Sequence, residues 1–214
     1  MAENKTLPVG CVIMASGLST RFGSNKLLTP FGPGREPMLR RAFAATDTPL
    51  LASRVVVARS PEVETLCREV SVPCLLHALP GRNDTVRLGL EYLLPRFPAM
   101  SGCVFLPGDQ PLLTRKTLCG MVSAFCAEPD RKSQIFRLCE PQSGTPGSPV
   151  LFGADYFEEL RSLPEGRGGG VVVKRHAEKV TLFPARHPAE LMDADTPDVL
   201  AELKMIFQND SFYR

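Results

Sequence analysis

The stretch from Val9 to Ala15, VGCVIMA, decides the fold class of this 214-residue chain. It is an almost unbroken apolar run that stops at Ser16-Gly17. A short apolar run without helical periodicity, ended by a glycine, is typical of a strand buried on both faces rather than of an amphipathic helix. We therefore predict an interior strand that ends in a glycine turn.

Similar apolar runs recur along the first half of the chain, separated by segments with helical periodicity. The predicted strands are 54–58 (RVVVA), 102–107 (GCVFLP) and a shorter one at 74–77, and the predicted helices are 38–45, 62–70, 85–94 and 114–126. Alternating strands and helices predict a parallel sheet with helices on both faces. Such sheets bind ligands beyond the carboxyl ends of their strands.

The second half of the chain interrupts this alternation. Proline and a Ser-Gly-Thr-Pro-Gly cluster make 128–145 an irregular segment, with one edge strand predicted at 133–138. The elements predicted after it are a strand at 149–152, a helix at 154–162, a strand at 179–184 and a closing helix at 197–208. We expect one domain over 1–214, made of two halves at 1–127 and 128–214.

Composition restricts the class of partner. The formal net charge is +2 and the Lys and Arg residues form no dense run, so neither nucleic acid nor a membrane surface is expected as a partner. No apolar stretch is long enough to span a bilayer or to form a secretory signal. The seven cysteines include no C-x-x-C pair and lie mostly among apolar neighbours, which is typical of free thiols in a reducing cytoplasm.

The strongest functional signal is the segment 15–28, ASGLSTRFGSNKLL, directly after the first strand. Backbone N–H groups at Gly17, Ser19 and Gly23 could line a concavity of phosphate size. Arg21 and Lys26 add positive charge suited to phosphate oxygens. The spacing is that of neither a P-loop nor a G-x-G-x-x-G turn, which excludes both classes. The alternative is an ordinary glycine turn beside a solvated basic loop.

Two further segments place carboxylates near predicted sheet or helix ends. Asp109, in the segment 106–112 (LPGDQPL), follows a strand and could hold a hard cation that also touches phosphates, although Asp before such a proline also suits a turn. Asp193 and Asp195 precede the closing helix, whose Pro197 suits the first turn. One of these carboxylates could bind metal while Asp195 or Thr196 caps the helix.

The segment 81–89, GRNDTVRLG, opens a helix with polar residues, and Asn83 or Asp84 suits a capping role there. The three histidines are His77, His176 and His187. They show no metal-ligand spacing and stand near no nucleophile in these motifs, so we expect them to be structural or solvated.

Segments 15–28 and 108–111 (GDQP) together resemble the signature motifs of the molybdenum cofactor cytidylyltransferases within the nucleotidyltransferases, and the looser Asp-x-Asp-Thr-Pro segment agrees. The resemblance implies a Rossmann-like α/β/α sandwich of the nucleotide-diphospho-sugar transferase type, mostly parallel with a small antiparallel extension. It implies catalytic roles for Arg21, Lys26 and Asp109. Nucleotide contacts are implied for Ala15, Ser16, Gly17, Leu18, Ser19, Gly23, Asn83, Thr85, Arg87 and Gly108.

The resemblance implies that 1–127 is the nucleotide-binding half and that 128–214 is the acceptor-binding half with the closing helix. It also implies the reaction and its components. Magnesium would bind Asp109 with Asp193 or Asp195, and CMP would pass from CTP to molybdopterin with release of pyrophosphate. CTP is favoured over GTP because Ser16 stands where GTP-using members carry a glycine. Acceptor contacts are implied for Gly144, Pro146, Gly168 and Gly169, although the loop at 166–170 lacks the family's usual acidic residue. The finished cofactor would reach a molybdenum hydroxylase by transient docking.

Two other functions remain open from the sequence. A transferase of the same kind could use another nucleoside triphosphate or another phosphorylated acceptor. A protein of a different class could carry the molybdenum cofactor to an apo-enzyme without chemistry. Retention of Lys26, Asp109 and Asp193 together favours catalysis, because a carrier needs no combined metal site and phosphate clamp.

Overall fold

A computed structural model of the chain describes residues 8–17, 22 and 25–213. Its strands are β1 (Val9–Ala15), β2 (Pro30–Phe31), β3 (Glu36–Pro37), β4 (Leu51–Ala58), β5 (Cys74–Leu76), β6 (Gly102–Pro107), β7 (Ile135–Cys139), β8 (Pro146–Gly153) and β9 (Val180–Pro184). Seven of them form one sheet in the order β5-β4-β1-β6-β8-β7-β9, and β2 pairs with β3 in a separate ribbon.

The first strand lies at the centre of the parallel part of the sheet. β1 is parallel to β4 on one side and to β6 on the other, and Val12 stands opposite Val55 and Phe105. Cys11, Val12 and Ile13 are fully buried, as expected for a strand covered on both faces. The strand predicted at Val9–Ala15 is confirmed with its bounds.

The antiparallel extension is built by β8, which runs antiparallel to both β6 and β7. β7 is parallel to β9 and lies between β8 and β9, so the prediction of an edge strand at 133–138 is wrong in its position. Ile135, Phe136 and Leu138 are fully or almost fully buried, which an interior strand explains. The prolines that suggested irregular structure lie outside the strand, at 129 and 141.

The helices are α1 (Leu39–Thr46), α2 (Pro61–Glu69), α3 (Arg82–Leu93), α4 (Arg115–Ala127), α5 (Phe157–Arg161), α6 (Gly170–Arg175) and α7 (Pro197–Asn209). Buried side chains of α1, α2, α4 and α7 join one core on one face of the sheet. Those of α3, α5 and α6 join a second core on the other face. The chain is therefore an α/β/α sandwich, as the sequence predicted.

The helix starts follow side-chain capping. Ser60, Thr114 and Thr196 each accept a hydrogen bond from a backbone N–H in the first turn of α2, α4 and α7. α3 begins at Arg82, earlier than the predicted residue 85, because Asp84 accepts from the Gly81 N–H at 3.0 Å and so belongs to the first turn. None of the helices in these described ranges is long and apolar enough to cross a membrane.

Candidate active site

A cleft of about 690 Å³ opens at the carboxyl ends of β1, β4 and β6. Ala15 ends β1, Arg59 follows β4 and Pro107 ends β6, and all three line the cleft. Neighbouring parallel strands end at one edge of the sheet, so the topology brings together loops that are distant in sequence. The cleft therefore lies where the alternation of strands and helices predicts a ligand site.

Lys26 is the charged centre of the cleft. It lies in a short 3₁₀ turn, Lys26–Leu28, whose start is fixed by the Asn25 side chain accepting from the Leu27 N–H. The Lys26 Nζ lies 2.6 Å from Asp109 Oδ2 and 2.9 Å from Asp195 Oδ1. The lysine is only 8% exposed, so a buried ammonium joins two carboxylates from opposite halves of the chain.

A backbone hydrogen bond brings the second carboxylate segment to the first. The Ala194 N–H donates to the Asp109 carbonyl at 2.9 Å, and Ala194 is fully buried beneath the cleft wall. Asp193 and Asp195 flank this anchored alanine, and both line the cleft. Thr196 caps α7, which leaves the Asp195 side chain to Lys26. The three carboxylates singled out in the sequence therefore meet in one place.

Burial and charge perturb two groups here. Burial lowers the pKa of Lys26, but the hydrogen bonds and negative charges of Asp109 and Asp195 outweigh it and leave the pKa raised. Partial burial of the Asp193 carboxyl group, followed by the charge of Asp109, raises its pKa to about 6 even though the residue as a whole is exposed. Asp193 thus titrates between weakly acidic and neutral pH.

The donor chemistry of this corner suits a hard cation. In the ranges that the structure describes, no three His, Cys, Asp or Glu side chains are arranged to hold a metal ion by themselves. Mg²⁺ is usually bound in phosphate-transfer sites by one or two carboxylates, with substrate phosphates and water completing the octahedron. Asp109 with one of Asp193 and Asp195 supplies that number of ligands, so the residues present fit magnesium bound together with a triphosphate.

Ser16 lines the cleft beside Ala15 and Gly17, where β1 ends. Its hydroxyl donates to the Val57 carbonyl at 2.9 Å, and its oxygen lies 2.8 Å from His77 Nε2. Because the single hydroxyl proton is used on Val57, the His77 Nε2–H is the donor in the second contact. Burial and then the positive charge of Arg59 lower the pKa of His77, which keeps the ring neutral.

The start of α3 forms another wall of the cleft through Thr85. Asn83 instead accepts a hydrogen bond from the Gly166 N–H at 2.9 Å, which ties the helix start to the glycine loop. Arg87 pairs with Asp84 and Glu91 on its own helix and is not part of the cleft lining. Of these three positions the structure thus places only Thr85 where a ligand would bind.

The remaining predicted positions divide between the cleft and its surroundings. Gly168 and Gly169 line the cleft, whereas Gly144 and Pro146 do not. Gly108 also lies behind the lining, where an added Cβ would meet Leu39 at 3.0 Å, so its role here is close packing. The predictions for Leu18, Ser19, Arg21 and Gly23 lie outside the described residues.

Sequence reasoning missed several lining residues that come from strand interiors, a strand end and a helix start. They are Arg59, Arg82, Phe105, Arg137, Ser148, Val150 and Phe152. Arg137 had a signal, because it is the one charged residue in the otherwise apolar β7 sequence IFRLC. The others carry no local pattern that separates a cleft residue from a core or surface residue.

A model of the MobA-like NTP transferase domain matches residues 11–180, from within β1 to the first residue of β9. The chain belongs to this family. The match spans the strands that build the cleft, Lys26 and Asp109, and it ends before Asp193.

Two curated relatives of this MobA-like chain are cytidylyltransferases. A 3-deoxy-manno-octulosonate cytidylyltransferase of Polynucleobacter necessarius is 31% identical over 105 residues, and that of Polynucleobacter asymbioticus is 30% identical over 100 residues. These matches cover 47% and 45% of this chain. The chain spans only 41% and 39% of the lengths of these relatives.

Solved structures share the fold over nearly the whole chain. Rv0371c of Mycobacterium tuberculosis superposes with a TM-score of 0.73 at 19% identity, covering 92% of this chain and 97% of that one. A manganese complex of Rv0371C superposes with a TM-score of 0.69 at 18% identity, covering 92% of this chain and 98% of that one. A CMP:2-keto-3-deoxy-manno-octonic acid synthetase complexed with CTP gives 0.73 at 15%, covering 95% and 99%. At these identities the likeness establishes the fold.

Proposed function

We propose that this chain is a magnesium-dependent cytidylyltransferase, which moves CMP from CTP to an acceptor and releases pyrophosphate. The observation that carries the proposal is the contact of the buried Lys26 ammonium with Asp109 and Asp195 at the cleft floor. This corner combines a cation for phosphate oxygens with carboxylates for a metal ion. Nucleotidyl transfer requires both, because negative charge builds on the phosphate as the transition state forms.

The reaction is a displacement at the α-phosphorus of CTP. An acceptor oxygen forms the new bond to phosphorus, the bond to the β-phosphate oxygen breaks, and pyrophosphate leaves. Lys26 binds phosphate oxygens and neutralises their developing charge, and Arg21 is proposed to assist it. Asp109 with Asp193 or Asp195 would hold Mg²⁺, which supplies further charge neutralisation on the phosphates when bound. No covalent intermediate with the chain is required.

Two observations support CTP as the nucleotide. Ser16 lines the cleft at the end of β1, and its side chain is fixed there by Val57 and His77. A fixed side chain at this position takes up room that a glycine would leave to a purine. The curated relatives named above are cytidylyltransferases, which supports the same base.

The acceptor proposed first is molybdopterin, and its phosphate would attack. Support comes from the MobA-like family match and from two residues of the cleft lining, Gly169 and Phe152, which pack so closely that a Cβ added at Gly169 would lie 3.0 Å from the Phe152 ring. The product would then pass to a molybdenum hydroxylase. The second candidate is a 3-deoxy sugar acid, which the 30–31% identity to 3-deoxy-manno-octulosonate cytidylyltransferases favours.

Pyrophosphate release tests the proposal. Purified protein with Mg²⁺ is given CTP, GTP, ATP or UTP, with molybdopterin or 3-deoxy-manno-octulosonate as acceptor. We expect release that depends on CTP and acceptor and falls at least about 10²-fold in Asp109→Ala, the scale typical of losing a preorganised charge-stabilising group. Asp130→Ala, at an exposed surface position, is the matched control and should leave the rate unchanged. Nucleotide binding without pyrophosphate release would favour a cofactor carrier instead.

A further inference from the structure

A row of side chains runs across the sheet beneath the cleft. Cross-strand register pairs Val12 with Phe105, Phe105 with Val150, and Val150 with Arg137. Residues directly opposite each other on neighbouring strands point to the same face of a sheet. Arg137 is therefore the one charged member of an apolar row, and it reaches the cleft beyond the buried Phe105.

The Arg137 side chain is held in place by its own strand pair. Its Nε–H donates to the Gly147 carbonyl of β8 at 2.7 Å. Among the described residues, no carboxylate pairs with Arg137, and its two terminal nitrogens have no recorded hydrogen bond. This arrangement fixes the plane of the guanidinium group and leaves its outer N–H donors to the cleft.

The surroundings of Arg137 strengthen its interaction with an anion. Val150 and Phe152 line the same part of the cleft, and an apolar wall lowers the local dielectric constant and so raises the energy of a charge–charge contact. Of the three clustered carboxylates, Asp109 and Asp195 pair with Lys26, and Asp193 is separated from Asp195 by one residue. A half-buried arginine without a carboxylate partner is well placed to receive a negatively charged ligand group.

The position separates Arg137 from the triphosphate corner. Two strand spacings divide it from Phe105, which is about 10 Å across the sheet at roughly 4.8 Å per spacing. Phe105 lies two residues before the end of β6, whose loop carries Asp109. Gly169 packs against Phe152 of β8, which neighbours β7, whereas Ser16 follows β1, three strands away from β7. Arg137 therefore lies at the Gly169 end of the cleft.

We propose that Arg137 is the residue that binds the anionic group of the acceptor, a phosphate monoester or a carboxylate, and orients its attacking oxygen. This inference rests on the proposed nucleotidyl transfer and specifies the substrate class of the same site. In a phosphate acceptor the bound group carries the attacking oxygen, and in a sugar acid the bound carboxylate neighbours the attacking hydroxyl. The outer N–H donors of one guanidinium group can hold either group in a bidentate contact.

Steady-state kinetics of pyrophosphate release test the proposal. Wild type, Arg137→Gln and Arg137→Lys are compared at saturating CTP and Mg²⁺ with molybdopterin, a phosphate monoester, and with 3-deoxy-manno-octulosonate, a carboxylate. Arg137→Gln should raise the KM for the true acceptor about 10- to 100-fold, the range for losing a hydrogen bond to a charged group. Arg137→Lys should recover part of the loss, because it keeps the charge without the fork. The KM for CTP should stay constant.

Arg161→Gln is the matched control, because Arg161 pairs with Glu158 on the surface of α5. In Arg137→Gln, a rise in KM for molybdopterin alone identifies a phosphate acceptor, and a rise in KM for the sugar acid alone identifies a carboxylate acceptor. Equal rises in the KM for CTP and for the acceptor, together with a lower Tm, would overturn the proposal. That result would indicate that Arg137 only holds β8 in place. Unchanged acceptor KM values in both variants would overturn it as well.

A binding measurement separates this proposal from the proposed activity. The Arg137 Nε–H resonance of ¹⁵N-labelled protein, assigned by its loss in Arg137→Lys, is followed while inorganic phosphate or acetate is added. A saturable shift in wild type supports an anion subsite even if neither acceptor is turned over, in which case only the proposed reaction fails. No shift with either anion would overturn the role of Arg137 even if CTP is turned over.

Discussion

Replacing Lys26 by Met should destabilise the protein by an amount that its contacts allow us to work out. Met keeps most of the side-chain volume but removes the ammonium that lies between Asp109 and Asp195. Removing one partner of a fully buried ion pair costs about 3 to 5 kcal/mol. The Asp109 and Asp195 side chains are 21% and 48% exposed, so water regains part of that loss. We expect a net cost of about 2 kcal/mol, which lowers Tm by about 4 to 8 °C for a domain of this size.

Urea unfolding followed by circular dichroism in metal-free buffer measures this cost, since the chain has no tryptophan for fluorescence. The pKa of Lys26 is raised in the folded state, so its stabilising contribution is complete below the unfolded pKa of about 10.4. The difference between wild type and Lys26→Met should therefore be full at neutral pH. It should shrink as the pH rises through the folded pKa of the lysine.

Lys116→Met is the matched control, because Lys116 is exposed on α4 and loses the same charge. Asp109→Asn added to Lys26→Met should restore part of the stability by relieving repulsion between the remaining carboxylates, which come from Asp109, Asp193 and Asp195. Equal stabilities for Lys26→Met and Lys116→Met would refute the reasoning. That result would mean that the ion pairs at the cleft floor contribute no net stability.

Three further outcomes follow from individual groups. Because the pKa of Asp193 is raised to about 6, its carboxyl group is neutral below that pH. The Mn²⁺ affinity of the wild type, measured by electron paramagnetic resonance, should therefore fall as the pH falls through about 6. The affinity of Asp193→Asn should not show this change with pH. Gly89→Ala places a Cβ 2.5 Å from Val12 and should lower the free energy of unfolding in urea by about 1 to 3 kcal/mol. Gly170→Ala, with open space at its Cβ, should lower it far less. Glu190→Gln should lower the free energy of unfolding by about 2 to 4 kcal/mol. The fully buried Glu190 carboxylate accepts hydrogen bonds from five backbone and hydroxyl donors, and an amide nitrogen cannot accept a hydrogen bond. A thermal melt of that variant unchanged from wild type would contradict the last expectation.

The strand pattern was predictable because burial on both faces leaves a plain record in the sequence. β1 and β6 have the predicted bounds, since VGCVIMA and GCVFLP are apolar and each ends at a residue that changes the chain direction. β4 is longer than predicted, because buried Leu51 is followed by exposed Ala52 and by half-buried Ser53 and Arg54, so these residues do not form an apolar run. Local composition thus finds buried strands more reliably than half-exposed ones.

The elements that sequence reasoning missed depend on tertiary contacts. α6 directly follows Gly168 and Gly169, and its six residues GVVVKR are too few to show helical periodicity. The position of β7 inside the sheet depends on β9 pairing with it from more than forty residues further along the chain. Neither feature leaves a local signal, because each is stabilised by partners distant in sequence.

For the candidate site, the sequence identified charged residues better than it identified their surroundings. Lys26, Asp109 and the Asp193–Asp195 pair lie together as one constellation. The strand ends indicated Lys26 and Asp109, and the family resemblance implied the Asp193–Asp195 pair. Asn83 was predicted to meet the nucleotide, yet its amide oxygen binds the Gly166 N–H across the fold. Such a long-range contact depends on the folded geometry, so residue type alone does not reveal it.

Transfer of a labelled phosphate tests the central claim most directly. The protein is incubated with Mg²⁺, acceptor and CTP labelled with ³²P at either the α or the γ position, and the products are separated. Nucleotidyl transfer predicts that the α label moves to the acceptor while the γ label leaves in pyrophosphate, and that Asp109→Ala abolishes both. Transfer of the γ label to the acceptor would make the protein a kinase. That result would contradict the proposal that Lys26 and Asp109 serve nucleotidyl transfer in the cleft.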